Sequence, residues 1–516
     1  MHEIAVGFVL LVYSLDILAL FYFGIHCYFM VYLYLKNGKR CETDPATYAQ
    51  LVKKMRRWPK VTLQVPMYNE YYVAERVIDA VCRLDYPKEK LEIQVVDDST
   101  DETSLLVKRK VEEYRKKGIQ IYHLTRPHRQ GHKAGALREA LKKAKGEFIA
   151  IFDADFLPDT HFLRKTIPYF WEDPRIGMVQ ARWGHINADY SLLTKAQSIG
   201  IDGHFIIEQV ARSGSRLWMN FNGTAGVWRK KCIYDAGNWQ ADTLTEDFDL
   251  SYRAELRGWE FRYLIDCVNP AELPATISAY RSQQFRWCKG SLQTAVKLIP
   301  AILKSKESLR VKVEAITHLL NYTVHPLMVL NILATLPLLL LYEKLEVVSL
   351  PLLFGTAFVL SLGGLGPIVM YIISQRKLHN NAAKRLLWLP MLTIIGTGIA
   401  LSNTVAWLEA ILGKKSIFVR TPKLRLESKK DRIEERKKYK SVKLNPIAFG
   451  EIFLGCYTML TTILAYNNGK YWVIPFMSLY ALGFFYIGFL SLYETWQEPL
   501  QQLIRHISLG KAKEET

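Results

Sequence analysis

Cysteine is scarce in this sequence, and its spacing fits neither metal nor disulfide chemistry. The seven cysteines are scattered over 516 residues, and no two of them form a C-x-x-C pair. This pattern argues against a cysteine-based zinc site and against a disulfide framework, and it fits a reducing compartment. The first hydrophobic run shows no small-residue cleavage pattern and is longer than a signal-peptide core, so we do not expect a cleaved leader.

Acidic residues are outnumbered by basic ones. Lysine and arginine number 68 and aspartate and glutamate 49, which gives a formal net charge of +19. The basic runs adjoin hydrophobic segments and no nucleic-acid-binding module is recognisable, so nucleic acid is not an expected partner. Basic cytoplasmic loops of a membrane protein explain the excess, and they suit contact with anionic lipid and with a negatively charged donor. Half of the residues are hydrophobic and 12% are aromatic, which excludes a disordered chain.

Long hydrophobic runs flank a region, from about residue 36 to 310, that has the composition of a soluble domain. A spanning helix needs about 20 apolar residues, and residues 4–35 exceed this length. The basic residues Lys36, Lys39 and Arg40 follow this run, whereas no lysine or arginine precedes it. The positive-inside rule therefore predicts that the soluble domain is cytoplasmic. Further candidate spans are residues 318–342, 347–374, 388–412, 447–466 and 471–493.

The segment 388–412 does not fit a simple span. The loops 375–385 and 414–443 on either side of it are both basic, so the positive-inside rule places both in the cytoplasm. A segment between two loops on the same side does not cross the membrane once. Its Pro390, two glycines and Glu409 suit an interfacial or re-entrant segment buried against protein. We predict five spans plus this segment, with six simple spans as the alternative.

From Trp58 onward, short apolar runs alternate with polar turns and helical stretches. The predicted strands are 61–65, 91–96, 119–124 and 148–152, and the predicted helices are 70–83, 104–117 and 132–144. This alternation predicts an open, mostly parallel sheet with helices on both faces. Ligands of such sheets bind beyond the carboxyl ends of the strands. A nucleotide site is therefore predicted at Pro66–Glu70, Asp97-Asp98 and Asp153–Asp155, which lie at those ends.

The sequence Asp153-Ala-Asp155 directly follows the fourth predicted strand. Two carboxylates one residue apart at a strand end can share a divalent cation, and their oxygen atoms suit Mg²⁺ or Mn²⁺. A lone Asp-x-Asp pattern is also common in surface turns. The preceding strand and the upstream pair Asp97-Asp98 favour the metal site over a solvated turn.

Lys133 opens the third predicted helix, after a polar loop that contains Arg126, His128 and Arg129. Helix N-termini and basic side chains attract phosphate. A solvated basic loop has the same appearance, so the residues alone leave both interpretations open.

Two later motifs carry groups that suit transfer chemistry. Thr245-Glu246-Asp247 precedes an amphipathic helical stretch, so it is either a capped helix start or the source of a general base for an acceptor hydroxyl. The stretch from Gln283 to Trp287 includes Arg286, which can neutralise a diphosphate, and its tryptophan can support a sugar ring. The same stretch also suits an interfacial helix with an aromatic anchor, and the two interpretations are compatible.

In order along the chain, these motifs resemble those of the family-2 inverting glycosyltransferases. The likeness is strongest to the cellulose synthase and cellulose-synthase-like group, which includes plant mannan and xyloglucan-backbone synthases. Two further segments contribute, since Phe221–Trp228 resembles the acceptor segment of that group and Phe418–Lys423 its cytoplasmic gating loop. The shared pattern runs from about Trp58 to Lys423 and comprises Asp97-Asp98, Asp153-Ala-Asp155, Thr245-Glu246-Asp247 and Gln283…Arg286-Trp287.

The resemblance implies an α/β fold, namely a nucleotide-diphospho-sugar-transferase (GT-A, Rossmann-like) cytoplasmic domain inserted among transmembrane α-helices of a multi-pass cell-membrane protein. No regulatory domain follows the last span in this sequence, so control by a cyclic dinucleotide within the chain is not expected. The expected domains are an N-terminal transmembrane helix (1–40), a GT-A domain ending in interfacial helices (41–310), transmembrane helices plus the interfacial or re-entrant segment (311–412), a basic gating-type loop (413–446), and two transmembrane helices with a short basic tail (447–516).

The resemblance also implies roles for individual residues. Asp247, with Glu246 beside it, is the implied catalytic base. The implied donor-binding residues are Pro66, Tyr68, Glu70, Asp97, Asp98, Lys133, Asp153, Gln283, Arg286, Thr421 and Lys423. The implied acceptor-binding residues are Phe221, Asn222, Gly223, Thr224 and Trp287, and the implied ligands of Mg²⁺ or Mn²⁺ are Asp153 and Asp155. Phe156 stands where bacterial cellulose synthases often have a further histidine ligand, so the metal is expected to bind more weakly or to find another ligand.

The implied reaction transfers a hexose from UDP-glucose, the first choice, or GDP-mannose to the end of a growing β-linked polysaccharide. It inverts the anomeric centre in one displacement, and the product leaves through the spans. A non-processive enzyme with a membrane-lipid acceptor is the alternative, although the gating-type loop favours the synthase. A transporter with a silent cytoplasmic domain is a third class, and the intact set of acids argues against it. The expected partners are the nucleotide sugar, a glycan or lipid acceptor and membrane lipids, while accessory subunits are left open.

Overall fold

The computed structural model describes residues 2–341, 350–415, 420–433, 436–439 and 445–514, and the side chains of residues 2–6, 341–361, 437 and 497–514 are not described. The predicted gating segment Phe418–Lys423 is therefore described from Arg420 onward, and its first two residues lie outside the described ranges.

Seven strands form one mixed sheet in the order β3-β2-β1-β4-β6-β5-β7. The strands are β1 (Val61–Met67), β2 (Leu91–Asp97), β3 (Ile121–Thr125), β4 (Phe148–Ile151), β5 (Ile176–His185), β6 (Gly226–Arg229) and β7 (Glu260–Ala271). Strands β1 to β4 are mutually parallel neighbours, β6 is antiparallel to β4 and to β5, and β7 is parallel to β5. The predicted parallel α/β sheet is confirmed for β1 to β4, and the second half of the sheet is mixed.

Along with short 3-10 segments and one π-helical turn, the described ranges contain nineteen α-helices. They are α1 (His2–Asn37), α2 (Pro45–Met55), α3 (Tyr71–Cys82), α4 (Thr103–Lys116), α5 (His132–Lys143), α6 (Phe162–Thr166), α7 (Leu192–Gly203), α8 (Gln209–Gly214), α9 (Lys230–Asp235), α10 (Glu246–Glu255), α11 (Ile277–Lys304), α12 (Leu309–Leu319), α13 (Val324–Leu341), α14 (Leu350–Leu378), α15 (Ala382–Leu386), α16 (Leu389–Gly398), α17 (Ala400–Ile411), α18 (Ile447–Asn467) and α19 (Ile474–Glu514). The predicted helices at α3, α4 and α5 are present.

Helices cover both faces of the sheet, and the side chains of β4 show how the two cores divide. Phe148 and Ala150 belong to a core with the apolar sides of α3 and α4, whereas Ile149 and Ile151 belong to a second core with α5. Alternate residues of a strand point to opposite faces, so a strand covered on both faces is typically apolar throughout. This double burial explains why β4 is a continuous apolar run in the sequence. Strands β1 and β2 are buried on both faces as well, but on one face they carry polar residues that are hydrogen-bonded to each other across the strands, Thr62 to Glu92 and Gln64 to Gln94.

Four helices are long and apolar enough to cross a membrane in the part of the chain that the structure describes. They are Gly7–Cys41, Asn321–Leu340, Ile447–Asn467 and Tyr471–Trp496. A fifth candidate is the pair Ala382–Gly398 and Ala400–Ile411, whose two parts are bent by 43° relative to each other. This bend lies within the segment that the sequence predicted to be interfacial or re-entrant. The predicted span 347–374 begins among residues that are not described and continues as α14.

Helix α11 joins the sheet domain to two of the helices long and apolar enough to span a membrane, through charged contacts. Its first turn donates two backbone N–H bonds, from Ile277 and Ser278, to the Glu494 carboxylate of α19 at 2.7 and 3.0 Å. Farther along, Arg281 pairs with the buried Glu451 of α18 at 2.5 Å. These contacts fix the orientation of α11, which carries the predicted residues Gln283, Arg286 and Trp287.

Candidate active site

One cavity of about 190 Å³ opens at the carboxyl edge of the parallel strands. Asp98 reaches it from the end of β2, Asp155 from the loop after β4, and Asp247 from the first turn of α10. Three carboxylates that are far apart in the sequence thus share one site. Topology brings Asp98 and Asp155 together, because the ends of adjacent parallel strands meet at the same edge of the sheet, and the start of α10 adds Asp247.

Most of the residues predicted for the site line this cavity. They are Pro66, Tyr68, Glu70, Asp98, Lys133, Asp153, Asp155, Asn222, Gly223, Glu246, Asp247, Gln283, Arg286, Trp287, Thr421 and Lys423.

Asp97, Phe221 and Thr224 lie behind the cavity wall instead. The Asp97 carboxylate is hydrogen-bonded to His123 Nε2 at 2.8 Å and accepts from the Ser99 backbone N–H at 2.9 Å. Burial raises the pKa of Asp97, but these hydrogen bonds outweigh it, so the pKa is lower than usual. Phe221 is fully buried, and Thr224 Oγ1 accepts a hydrogen bond from the Asp153 backbone N–H at 2.9 Å. The structure therefore gives these side chains supporting contacts rather than a place in the wall.

Lys133 lies among the acids at the centre of the cavity. Its Nζ atom is 2.6 Å from Asp153 Oδ1 and 3.8 Å from Glu246 Oε1, and it donates to the Gly223 carbonyl at 2.9 Å. Burial lowers the pKa of Lys133, but Asp153 and Glu246 more than offset this effect and raise it above its usual value. The side chain is therefore an ammonium ion at neutral pH, as a phosphate-binding group must be.

Asp247 lies where a β-carbon on the facing residue would collide with it. Gly223 has a φ of +80°, and a β-carbon there would be 2.8 Å from Asp247 Oδ2. Burial and the adjacent Glu246 raise the pKa of Asp247 to about 7, although Lys133 lowers it. A carboxyl group with a pKa near neutrality is suited to accept and release a proton.

The described part of the predicted gating loop contacts the cavity with three side chains. Lys423 pairs with Asp155, Thr421 Oγ1 accepts from Arg286 Nη2 at 3.0 Å, and Arg420 is 3.4 Å from Glu70. Burial raises the pKa of Glu70 to about 7, although Arg420 lowers it. The loop therefore covers the site through contacts with groups that follow β1 and β4 and with a group on α11.

Glu272, at the end of β7, fixes the next part of this loop. Its carboxylate accepts backbone N–H bonds from Leu424 and Arg425 at 3.0 Å each and from Leu426 at 3.4 Å. Arg76 of α3 is 3.7 Å from Glu272. The carboxylate thus holds three consecutive backbone groups, while the residues before Leu424 remain over the cavity.

Basic side chains surround the part of the cavity next to β1 and β2. Arg129 stacks 3.4 Å from the ring centroid of Tyr68, which is a cation–π contact. Asp98 is held by Arg126, whose Nε and Nη2 atoms donate to its two oxygens at 2.7 and 2.5 Å. This region has aromatic and charged groups of the kind that bind a nucleoside.

The two predicted metal ligands can both reach a bound ion. Asp153 and Asp155 line the cavity, and each is paired with a lysine, Lys133 and Lys423 respectively. Across the described ranges, no cluster of three or more histidine, cysteine, aspartate or glutamate side chains forms a metal site. Two carboxylates suit a divalent ion that takes its other ligands from water and phosphate oxygens. The residues fit a metal that arrives with a diphosphate.

The sequence did not identify several residues of the cavity wall. Glu272 and Arg420 gain their roles from contacts with distant segments, and Trp183 and His185 end a strand that was not predicted. Arg129 was noted only as part of a basic loop. A signal existed for Arg420, which lies between the basic residues of the gating-type segment.

Comparisons with known proteins agree with this geometry. A family model described as "Glycosyltransferase like family 2" matches residues 59–290. Glucomannan 4-beta-mannosyltransferase 2 of Arabidopsis thaliana is 41% identical over 290 residues, which cover 55% of this chain and 54% of that protein. Glucomannan 4-beta-mannosyltransferase 1 of Cyamopsis tetragonoloba is 43% identical over 261 residues, or 50% of each chain. The chain spans about half the length of these curated relatives.

The solved structure of the mannosyltransferase PcManGT from Pyrobaculum calidifontis, in complex with GDP-Man and Mn2+, is 21% identical with a TM-score of 0.47, and the match covers 77% of this chain and 100% of that one. The family match includes Asp98, Asp153, Asp247 and Arg286, which line one cavity. It confirms the resemblance on which the site was predicted. Residues 59–290 thus form a domain similar to the family 2 glycosyltransferases, built on the mixed seven-stranded sheet.

Proposed function

We propose that the protein is a membrane-bound inverting hexosyltransferase, which moves a sugar from a nucleotide sugar to the end of a growing β-linked glycan. One observation carries this proposal. Asp247, a carboxyl group with a pKa near neutrality, shares a cavity with Asp153, Lys133 and Arg286. A base for the acceptor hydroxyl therefore faces the charged groups that suit a departing diphosphate.

The basic side chains stabilise the leaving group in this scheme. Lys133 lies 2.6 Å from Asp153, and Arg286 reaches the same cavity from α11. As the bond between the sugar and the diphosphate breaks, negative charge grows on the phosphate oxygens. Cations that are already in place stabilise this charge without having to reorganise. Lys423 and Arg420 add two more positive charges from the loop above.

Asp247 acts on the acceptor. Its carboxylate removes the proton of an acceptor hydroxyl while that oxygen attacks the anomeric carbon. The electron pair of the broken bond leaves with the nucleoside diphosphate. A single displacement inverts the anomeric centre, so an α-linked donor gives a β-linked product, and one carboxylate base is enough for the reaction.

A divalent ion is the proposed cofactor, with Asp153 and Asp155 as its protein ligands. When bound, Mg²⁺ or Mn²⁺ supplies Lewis-acid stabilisation of the diphosphate oxygens. Lys133 and Lys423, through their ion pairs with Asp153 and Asp155, hold these carboxylates in the cavity wall, where they would bind such an ion.

The names of the relatives favour mannose as the transferred sugar. Two of the matched proteins are named glucomannan 4-beta-mannosyltransferases. We therefore propose a mannosyl donor such as GDP-mannose, ahead of UDP-glucose, which was the first choice from the sequence. Long apolar helices on both sides of the domain support extension of a glycan at the membrane and its movement through the spans.

The test is a donor panel with purified, detergent-solubilised full-length protein. Release of nucleoside diphosphate is measured with GDP-mannose, UDP-glucose and other nucleotide sugars, with and without Mg²⁺ or Mn²⁺, and the product is sized from radiolabelled donor. We expect GDP-mannose to give the fastest release and the product to be a polymer. A single mono-glycosylated lipid would instead support the lipid-acceptor alternative, and no release from any donor would end the proposal.

Asp247→Asn is the decisive variant. It keeps the shape of the side chain and removes the base, so transfer is expected to fall by about 100-fold or more. The matched control is Asp242→Asn, because Asp242 is also an aspartate close to α10, but its side chain is 55% exposed and lies outside the cavity. Unchanged transfer in Asp247→Asn, with both variants folded by thermal unfolding, would remove the assignment of the base.

A further inference from the structure

A histidine–aspartate pair lies in the cavity wall and has no part in the proposed reaction. His185 ends strand β5, and its Nε2 atom is 2.8 Å from Asp202 Oδ1 on helix α7. The side chains are only 10% and 4% exposed. A buried carboxylate is costly unless its oxygens are hydrogen-bonded, so such a pair needs an explanation.

The other oxygen of Asp202 is held by the membrane helices. Gln375 of α14 donates to Asp202 Oδ2 at 2.9 Å, and Arg385 of α15 donates to Gln375 Oε1 at 2.7 Å. Arg385 also donates to Ser198 of α7 at 2.7 Å. Asp202 therefore has both oxygens satisfied, and it fixes the orientation of the His185 ring relative to the helices on the membrane side.

This orientation leaves one ring nitrogen of His185 available. Its Nε2 is bonded to Asp202, and the residues that the structure describes offer no partner to its Nδ1. His185 lines the cavity. A neutral imidazole accepts a hydrogen bond at Nδ1 and an imidazolium donates one, and a hydroxyl group can satisfy either.

An aromatic side chain lies next to the histidine. Trp183 is two residues earlier on β5, so both side chains leave the same face of the strand, and both line the cavity. Phe156 and Phe205 pack against the Trp183 ring with centroid distances of 5.1 and 5.0 Å. A fixed aromatic ring beside an oriented polar group presents an apolar surface and a hydrogen bond, which together suit a sugar ring.

The position of His185 and Trp183 in the cavity favours binding of the acceptor over binding of the donor. The basic and aromatic groups of the nucleoside region come from β1, β2 and the loop after β3, whereas β5 lies on the far side of β4 and β6 in the sheet. Helix α7, which carries Asp202, packs against α14 and α16. His185 thus faces the cavity from the side of the membrane helices.

We propose that His185 and Trp183 form a subsite for a sugar residue of the acceptor glycan, with Asp202 as the positioning residue that orients His185. The ligand class is a carbohydrate with a free hydroxyl at hydrogen-bond distance from Nδ1. This inference rests on the proposed glycosyl transfer and names a part of the site that binds its acceptor.

The experiment compares acceptor and donor kinetics of His185→Phe in the full-length enzyme, with a β-linked mannohexaose as the added acceptor. Loss of one hydrogen bond from a buried group predicts that the acceptor KM rises about tenfold. The KM for the nucleotide sugar is expected to stay within about twofold of the unmodified enzyme, because the donor groups lie across the cavity. Asp202→Asn is expected to give a smaller rise in acceptor KM, since the asparagine still accepts a hydrogen bond.

The matched control is His161→Phe. His161 also pairs with an aspartate, Asp85, at 3.2 Å, but it is 61% exposed and lies outside the cavity. If His185→Phe does not fold, His185→Gln retains a polar group and is expected to raise the acceptor KM by about threefold. An unchanged acceptor KM in the folded variants, or an equal rise in the donor KM, overturns the subsite. Absence of donor turnover in the unmodified enzyme would instead refute the proposed function.

Discussion

The chemistry of the cavity depends on two adjacent carboxyl groups that share one cation. Glu246 and Asp247 open helix α10, where acids are favoured near the helix N-terminus, and Lys133 lies 3.8 Å from Glu246. Burial is the main cause that raises the pKa of Asp247, and the adjacent Glu246 adds to it, while Lys133 lowers it in part. The result is that Asp247 has a pKa of about 7 rather than the usual value for an aspartate. The sequence motif fixes which residues meet, and their burial sets the pKa.

This pKa predicts the acid limb of the pH–rate profile. Below about pH 7 Asp247 is mostly protonated and cannot accept the hydroxyl proton, so the rate is expected to rise with pH and level off above that value. Glu246→Gln removes a negative neighbour that raises the pKa of Asp247, so its acid limb should move to lower pH. The profile is measured from pH 5.5 to 9, an interval of roughly two units around the expected pKa.

The control is Glu70→Gln, because Glu70 has a pKa of about 7 as well. The Glu70→Gln substitution is expected to weaken donor binding and to leave the pH of the acid limb of kcat unchanged. If the acid limb of the pH profile moves in Glu70→Gln and does not move in Glu246→Gln, the titrating group is Glu70 and not Asp247.

At the scale of elements, the sequence predicted the first half of the sheet and missed the second. Strands β1, β2 and β4 are buried on both faces, and their apolar residues and the polar turns that follow them made them recognisable in the sequence. Strand β6 is as short as β4, but it begins with Gly226 and ends with Arg229, whereas β4 is apolar throughout. Strand β7 breaks its alternation with three consecutive buried residues, Tyr263 to Ile265. Local pattern thus predicts the strands of the βαβ half and fails where a strand is both short and partly polar, or irregular.

The loop over the cavity is an element whose position depends on one carboxylate. Glu272→Gln removes the charge that holds the backbone N–H groups of Leu424 and Arg425, and hydrogen bonds to charged groups contribute about 1.5–3 kcal/mol. We expect the donor KM to rise by about tenfold, because Lys423 and its neighbours are then less often in place over the diphosphate. Steady-state kinetics with varied donor measures this change.

Glu427→Gln is the matched control for the loop. Glu427 also bonds Arg76, at 3.0 Å, but it is 44% exposed and contacts no backbone N–H group of the loop's cavity-facing part. A donor KM that changes equally in both variants would show that the charge near Arg76 matters and the backbone clamp does not.

At the scale of the whole molecule, contacts between distant segments decide what the sequence could not predict. Glu272 meets a loop 152 residues later, and Asp202 meets Gln375 173 residues later. Neither pair has a local signature, because each residue alone is compatible with an exposed position. The motif acids were predictable since they follow strands or begin helices, where chain order already indicates a shared edge. The polar links between the sheet domain and the long apolar helices could not be predicted in this way.

The arrangement of the chain in the membrane gives the last prediction. Single cysteines are introduced at three exposed positions. Asn380 precedes the bent pair in the chain, Lys415 follows it, and Asn468 lies between α18 and α19. If the bent pair does not cross the membrane, Asn380 and Lys415 are both cytoplasmic, as the basic charge of their loops predicts. An impermeant maleimide should then label Asn468→Cys in intact cells and label the other two variants only after permeabilisation. Labelling is measured relative to the parent protein, which has seven native cysteines. Labelling of Lys415→Cys but not Asn380→Cys from outside would mean that the bent pair, despite its 43° break, crosses as a span.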